Sequence, residues 1–488
     1  MKEKPYLCTA TKDNTMLIGR EKEQALLGEL LHSNQSEFVA LYGRRRVGKT
    51  YLVRETFNYQ FAFQHTGILD APMNEQLGEF RESLYAAGLP KSPKPKTWGD
   101  AFRLLQRLLT SLPEGKKVVF IDELPWMDTP KSNFIRALDH FWNAWATTRK
   151  DIILIVCGSA TSWIIDNIVM NYGGLHDRVT RQIQLRPFTL RECEEYSREN
   201  RLDFTRRQIL EAYMVMGGIP YYWSFLRPGL SVAQNIDRMF FDEDGEMVHE
   251  YDALYASLFK RPKTHIAIVN ALATKKGGLQ REEILDITKI SDNETFSKAL
   301  KELEQCGFIR KYTMIGNKKK GTLYQLMDNY TLFWFKFIGE NTRGESHFWT
   351  SNLDTGIYDN WVGLAFERVC LQHLEQIKKA MGLSVIISTA HSWSWKAPKD
   401  SNEEGVQIDL LIDRNDDTIN LCEMKYSKSP YPISSEDLSK MEYRKTVFKR
   451  ETGTRKRIML TLITTFGLTG NANAADIPVK LTMEDLFQ

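Results

Sequence analysis

A chain of 488 residues is too long for one hydrophobic core, and the usual ~100–200 residues per domain predicts roughly three units. With 42% apolar, 11% aromatic and 26% charged residues and no apolar stretch near the ~20 needed to cross a bilayer, no membrane span is expected. A net charge of +3 excludes a polycation that coats nucleic acid without specificity, so any nucleic-acid surface must be a local patch.

The N-terminal stretch, residues 1–15, lacks the apolar core of a secretion signal, and the expected location is the cytoplasm. Six scattered cysteines (Cys8, Cys157, Cys193, Cys306, Cys370, Cys422) form no C-x-x-C pair and have no histidine at metal spacing. They read as reduced filler. From Phe38 to about Arg186, short apolar runs alternate with longer helical patterns, which predicts a parallel sheet with helices on both faces. The Pro- and Lys-rich stretch Gly88 to Lys96 reads as an exposed loop within it.

A mostly helical pattern over residues 190–260 is consistent with a lid. Residues 261–342 hold three short helices, then two strands around a basic turn, the outline of a winged helix. The remainder, 343–488, runs helix, strand, hairpin-like strand pair, helix, strand. Residues 1–189 thus form the first α/β unit, with no internal repeat anywhere.

The segment Gly43-Arg-Arg-Arg-Val-Gly48-Lys49-Thr50 fits G-x-x-x-x-G-K-[ST] and sits after a strand and before a helix, where that motif works. Its glycines let backbone N–H groups turn in around the phosphates of ATP. Lys49 reaches the terminal phosphates, and Thr50 binds Mg²⁺. The apolar run ending in Asp122-Glu123 delivers two carboxylates to a strand's C-terminal end, the ligand edge of an open α/β sheet. Asp122 is then a metal ligand, and Glu123 orients or deprotonates the attacking water. Arg44 to Arg46 face either phosphate or a neighbouring acidic patch.

These motifs, with Gly19-Arg20-Glu21, Gly158-Ser159 and Gly217-Gly218-Ile219-Pro220, resemble the archaeal-type ATPase family within the STAND and AAA-like P-loop NTPases, over residues 15–260. The resemblance implies that Arg20 and Pro220 lie near the adenine and that Ser159 senses the γ-phosphate. It also puts Arg178 where an arginine finger stands, a position that suits a surface salt bridge equally well. Assembly into a homo-oligomer, with the finger from a neighbour, and an inactive monomer both stay open.

In the C-terminal region, Glu423 and Lys425 are two apart on a strand and project from one face. Asp409 lies near the end of the neighbouring apolar strand and could stand beside Glu423 in an antiparallel pair, while a helix carries Glu367. Such carboxylates can hold Mg²⁺, and Lys425 can position or activate water for attack on a phosphodiester. The set Asp409, Glu423-x-Lys425 and Glu367 resembles the PD-(D/E)XK nuclease superfamily over roughly residues 350–470, whose domains follow a winged helix in many proteins of the ATPase family. In the wing, Lys318, Lys319 and Lys320 suit DNA phosphates, or a plain solvated turn. The aromatic cluster of Tyr330, Phe333, Trp334, Phe335 and Phe337 reads as core.

The expected fold is therefore α/β: a P-loop NTPase sheet, a helical lid, a winged helix and a restriction-endonuclease-like domain. The expected function is an ATP-gated, Mg²⁺-dependent DNA endonuclease suited, by resemblance, to defence or mobile elements. Its rival is a STAND-like switch that binds DNA or protein without cutting. A protein-remodelling ATPase is the third reading, disfavoured because no pore-loop signature is found.

Overall fold

The computed structural model describes residues 17–170, 177–259, 261–312, 315, 322–339, 345–353, 355–398 and 400–488. Cys8 and the basic turn with Lys318, Lys319 and Lys320 lie outside them. The chain divides into two compact units. One holds the described residues of Met1–Leu41, Gly48–Cys157 and Ile168–Ile183; the other holds Tyr42–Val47, Gly158–Asn167 and those of Gln184–Gln488.

The first unit is built on the sheet of β1 (Glu37–Tyr42), β2 (Phe63–Thr66), β3 (Lys117–Asp122), β4 (Ile152–Gly158) and β5 (Arg181–Gln184), in the order β2-β3-β4-β1-β5. β3 runs parallel to both β2 and β4. Every residue of β3 and β4 is buried, which explains their unbroken apolar runs: strands covered on both faces have no polar side to alternate with. Buried Lys117 at the start of β3 is matched by Asp151 at 2.7 Å. Helix Trp98–Ser111 begins at a capping box of Thr97 and Asp100 and buries Trp98, Phe102, Leu105 and Leu109.

The second unit opens with the helices Leu190–Glu199, Arg206–Met216 and Glu250–Leu258. Next come Pro262–Ala273, Arg281–Thr288 and Glu294–Gln305 with an antiparallel sheet of β6 (Leu279–Gln280), β7 (Ile309–Tyr312) and β8 (Leu323–Leu326), ordered β6-β8-β7. Of the aromatic cluster, Tyr330, Phe333 and Phe337 are buried, and Phe333 packs on Trp349 and Trp361.

Helix Gly356–Gln372 leads into β9 (Ser388–Trp395), β10 (Val406–Arg414), β11 (Thr418–Lys425), helix Ser435–Thr452, β12 (Arg457–Thr464) and β13 (Val479–Thr482). The sheet order is β13-β12-β11-β10-β9; β9, β10 and β11 are antiparallel, and β11, β12 and β13 parallel. Leu411, Ile419, Leu421, Leu460 and Leu462 meet Met441, Val447 and Phe448 of helix Ser435–Thr452 in one core.

The five described cysteines are buried and free. No described helix is long and apolar enough to cross a membrane.

His373 is fully buried: its Nε2 accepts the Leu190 N–H at 3.1 Å while Nδ1 donates to the Val369 carbonyl at 2.8 Å. Burial pushes its pKa down to about 4. The unfolded imidazole, near pH 6.5, takes up its proton first, so this contribution is complete above that pH and is lost as the pH falls toward 4. By pH 5 the loss is about 2 kcal/mol. In urea unfolding, His373→Gln is expected to narrow the stability gap between pH 7 and pH 5 by that amount; an unchanged gap would contradict the assignment.

Candidate functional site

The P-loop motif turns from β1 into helix Lys49–Thr56, whose N-terminal cap is Gly48 at φ 90°, the left-handed region that favours glycine. Gly43 is required by crowding as well: at φ 148°, a Cβ there would stand 2.2 Å from the Leu185 carbonyl oxygen. Lys49 is buried. Thr50 Oγ1 donates to the Asp122 carboxylate at 2.6 Å, which ties the two nucleotide motifs together. The other Asp122 oxygen accepts the backbone N–H of Glu123 at 2.9 Å. Glu123 follows the end of β3 at φ 47°, where a side chain other than glycine is uncommon and is found at functional turns. Burial pushes the Cys157 thiol up, Asp122 and Glu123 push the same way, and Lys49 opposes, so this group of charges surrounds the end of β4.

Arg20, in the left-handed cap of helix Glu21–Glu29, is buried, and so is Ser159 just beyond β4. Pro220 opens the short helix Pro220–Trp223 after Gly217 and Gly218. There the Gly218 carbonyl accepts the Phe188 N–H at 2.6 Å, an approach that leaves no room for a side chain. Arg178 is exposed.

The choice left open for the P-loop arginines is decided by carboxylates. Arg44 pairs with Asp328 at 2.5 Å, both groups buried, and its guanidinium lies 4.5 Å from the centre of the Phe308 ring. Burial alone would lower the Arg44 pKa, but Asp328 holds it above its usual value. Arg46 pairs with Glu250 and lies over Tyr221, while Tyr222 donates to Glu250 at 2.8 Å. Asp328 also caps helix Asn329–Phe333 through the Thr331 N–H. Asp328 and Glu250 were not singled out from sequence. Their signal was a carboxylate set among apolar residues.

In the C-terminal region β10 and β11 pair Leu410 with Cys422, and Asp409 and Glu423 each lie one residue beyond that pair. Their surroundings differ. Glu423 is held by Lys425 at 3.0 Å and by Arg444 of helix Ser435–Thr452, in a small cavity shared with Asp437 and Lys440. Asp409 accepts from Gln407 at 2.7 Å and is close enough to Glu367 to disfavour its charge. The Glu367 carboxyl is pushed above the usual range by burial first and by Asp409 next, against Lys276, whose ammonium sits 2.8 and 2.9 Å from its two oxygens. Arg368 and Arg310 complete this cluster; burial lowers both, Arg310 to about 10. Among the described residues, no three His, Cys, Asp or Glu side chains are grouped so as to hold a metal.

Residues 17–225 match a family model described as an ATPase domain predominantly from Archaea. That stretch is similar to archaeal-type ATPase domains. Residues 334–445 match a second family model, described as archaeal and bacterial proteins of unknown function. An uncharacterized protein of Methanocaldococcus jannaschii is 25% identical over 84% of this chain and 88% of its own length. Among solved structures, the Walker-type ATPase of Pyrococcus abyssi covers 65% of this chain and 95% of its own at 19% identity, with a TM-score of 0.46. The ORC2 protein of Aeropyrum pernix, in ADPNP and ADP complexes, covers 65% and 92% at 15% identity, with a TM-score of 0.41.

Proposed function

We propose that the chain is a cytoplasmic, ATP-hydrolysing protein that acts on DNA and carries a Mg²⁺-dependent endonuclease in residues 343–488. In this reading ATP lies on Gly43, Gly48 and Lys49 with Arg20 and Pro220 near its base. Thr50 and Asp122 hold the accompanying Mg²⁺, Glu123 serves the water and Ser159 senses the γ-phosphate. The nuclease half rests on one observation: a helix with Glu367, three antiparallel strands with Asp409, Glu423 and Lys425, a further helix and a parallel strand follow one another in the order such a domain needs. Carboxylate oxygens are the donors that a hard cation takes. Asp409 and Glu423 would be its main oxygen ligands, with Glu367 acting through water, and the ion would stabilise charge on the phosphodiester. Lys425 holds a water or the developing charge at its ammonium. The DNA-facing element of this reading is a winged helix at 261–342, with Lys318, Lys319 and Lys320 on phosphate.

The test is to incubate the protein with supercoiled, linear and single-stranded DNA, with Mg²⁺ or Mn²⁺, with and without ATP. Asp409→Ala is expected to eliminate cutting and leave ATP hydrolysis intact. Absence of cutting by the parent chain under every condition would sink the nuclease. The second reading, a switch that binds without cleaving, is favoured by the grip of Lys425 and Arg444 on Glu423.

A further inference from the structure

Three residues of the P-loop turn have positive φ: Gly43 at 148°, Arg46 at 71° and Gly48 at 90°. Two are glycines, which adopt that conformation readily. The third is an arginine, whose Cβ crowds the following carbonyl oxygen there, so its backbone keeps this geometry only where the surroundings hold it. They do hold it. The Arg46 guanidinium pairs with Glu250 and lies 4.3 Å from the centre of the Tyr221 ring. Glu250 is itself fixed: it is buried in the first turn of helix Glu250–Leu258, where a carboxylate is favoured, and its other oxygen accepts the Tyr222 hydroxyl at 2.8 Å. Tyr222 in turn is fully buried against Tyr330. The far end of a P-loop side chain is thus clamped by a carboxylate with no freedom to swing.

We propose that Arg46 is a positioning residue for nucleotide: clamped by Glu250 and Tyr221, its side chain anchors the loop backbone at positive φ, in the form that presents N–H groups to phosphate. This rests on the ATP-binding reading and adds a residue to it that touches no nucleotide. Once the clamp is gone, a residue with a Cβ drifts out of the left-handed well, and the apparent affinity falls by the fraction of molecules still in the competent form. Glycine, with no bias against that well, has no need of the clamp.

Calorimetric titration of full-length protein with ATP and Mg²⁺ tests this in Arg46→Ala/Glu250→Gln and Arg46→Gly/Glu250→Gln beside the parent. Both double variants lose the same ion pair, neither strands a buried carboxylate, and glutamine still accepts the Tyr222 hydroxyl. They differ only in what position 46 can do at positive φ. The alanine variant is expected to bind ATP about tenfold more weakly than the glycine variant, the scale of alanine's bias against the left-handed well, while turnover at saturating ATP is alike in the two. Equal affinity in the two overturns the proposal: if both are weak, the guanidinium itself serves the phosphates, and if both match the parent, the clamp serves stability alone. ATP binding by the parent keeps that failure distinct from failure of the ATP reading, since a parent that binds no ATP brings down both.

Discussion

Glu123→Gln is expected to bind ATP as the parent does and to lose turnover by about 10²–10⁴-fold, the usual worth of a positioned general base. Glutamine keeps the size and hydrogen-bonding reach of the side chain but cannot take a proton from water. Lys49→Ala is expected to fail earlier, at binding, because the proposed site puts this buried ammonium, at a helix N-terminus, on the phosphates themselves. Between them stands Asp122, whose bond from Thr50 shows why the two motifs act as one: the hydroxyl and the carboxylate are already paired at 2.6 Å. Phosphate release measured beside fluorescent-nucleotide binding separates the two variants. Normal turnover in Glu123→Gln would remove that residue from the water.

Arg44→Ala is expected to destabilise the second unit by about 3–5 kcal/mol, since it strands the buried Asp328 carboxylate without its cation. Asp328→Ala should cost a similar amount by taking the carboxylate away from the buried Arg44 guanidinium, plus about 1 kcal/mol for the lost helix cap. The decisive variant is the double one. Arg44→Met/Asp328→Leu removes both charges together, so it should recover a large part of the loss, leaving chiefly the cap. Denaturant unfolding of the three variants measures the coupling. Strict additivity would mean that the pair is not the buried unit the geometry describes.

The P-loop was legible in sequence because its chemistry is local: the spacing Gly43, Gly48, Lys49, Thr50 encodes a backbone turn and a helix start within eight residues. The buried strands β3 and β4 were legible for a related reason, since a strand covered on both faces cannot hide its composition. The partners of Arg44 and Arg46 were not. Asp328 is 284 residues from Arg44, and no periodic pattern reports a pairing over such a separation. The C-terminal carboxylates lie between these cases. Strand alternation put Glu423 and Lys425 on one face, and they stand 3.0 Å apart, but alternation could not say that Lys276 would reach Glu367 or that Arg444 would take Glu423.

By itself, then, the sequence determined where the P-loop turn and its helix begin, which strands are buried and which acids and lysine the C-terminal region carries. All of these depend on spacings within one element or one turn. Tertiary structure alone decided which charges are spent on one another. It gave Arg44 to Asp328, Arg46 to Glu250, Glu423 to Arg444, and Glu367 to Lys276. It also assigned Tyr42–Val47 and Gly158–Asn167 to the second unit while Gly48–Cys157 stays with the first. The physical reason is common to all of them: a buried charge must find an opposite one, and the partner is chosen by proximity in the fold, on which sequence separation has no bearing.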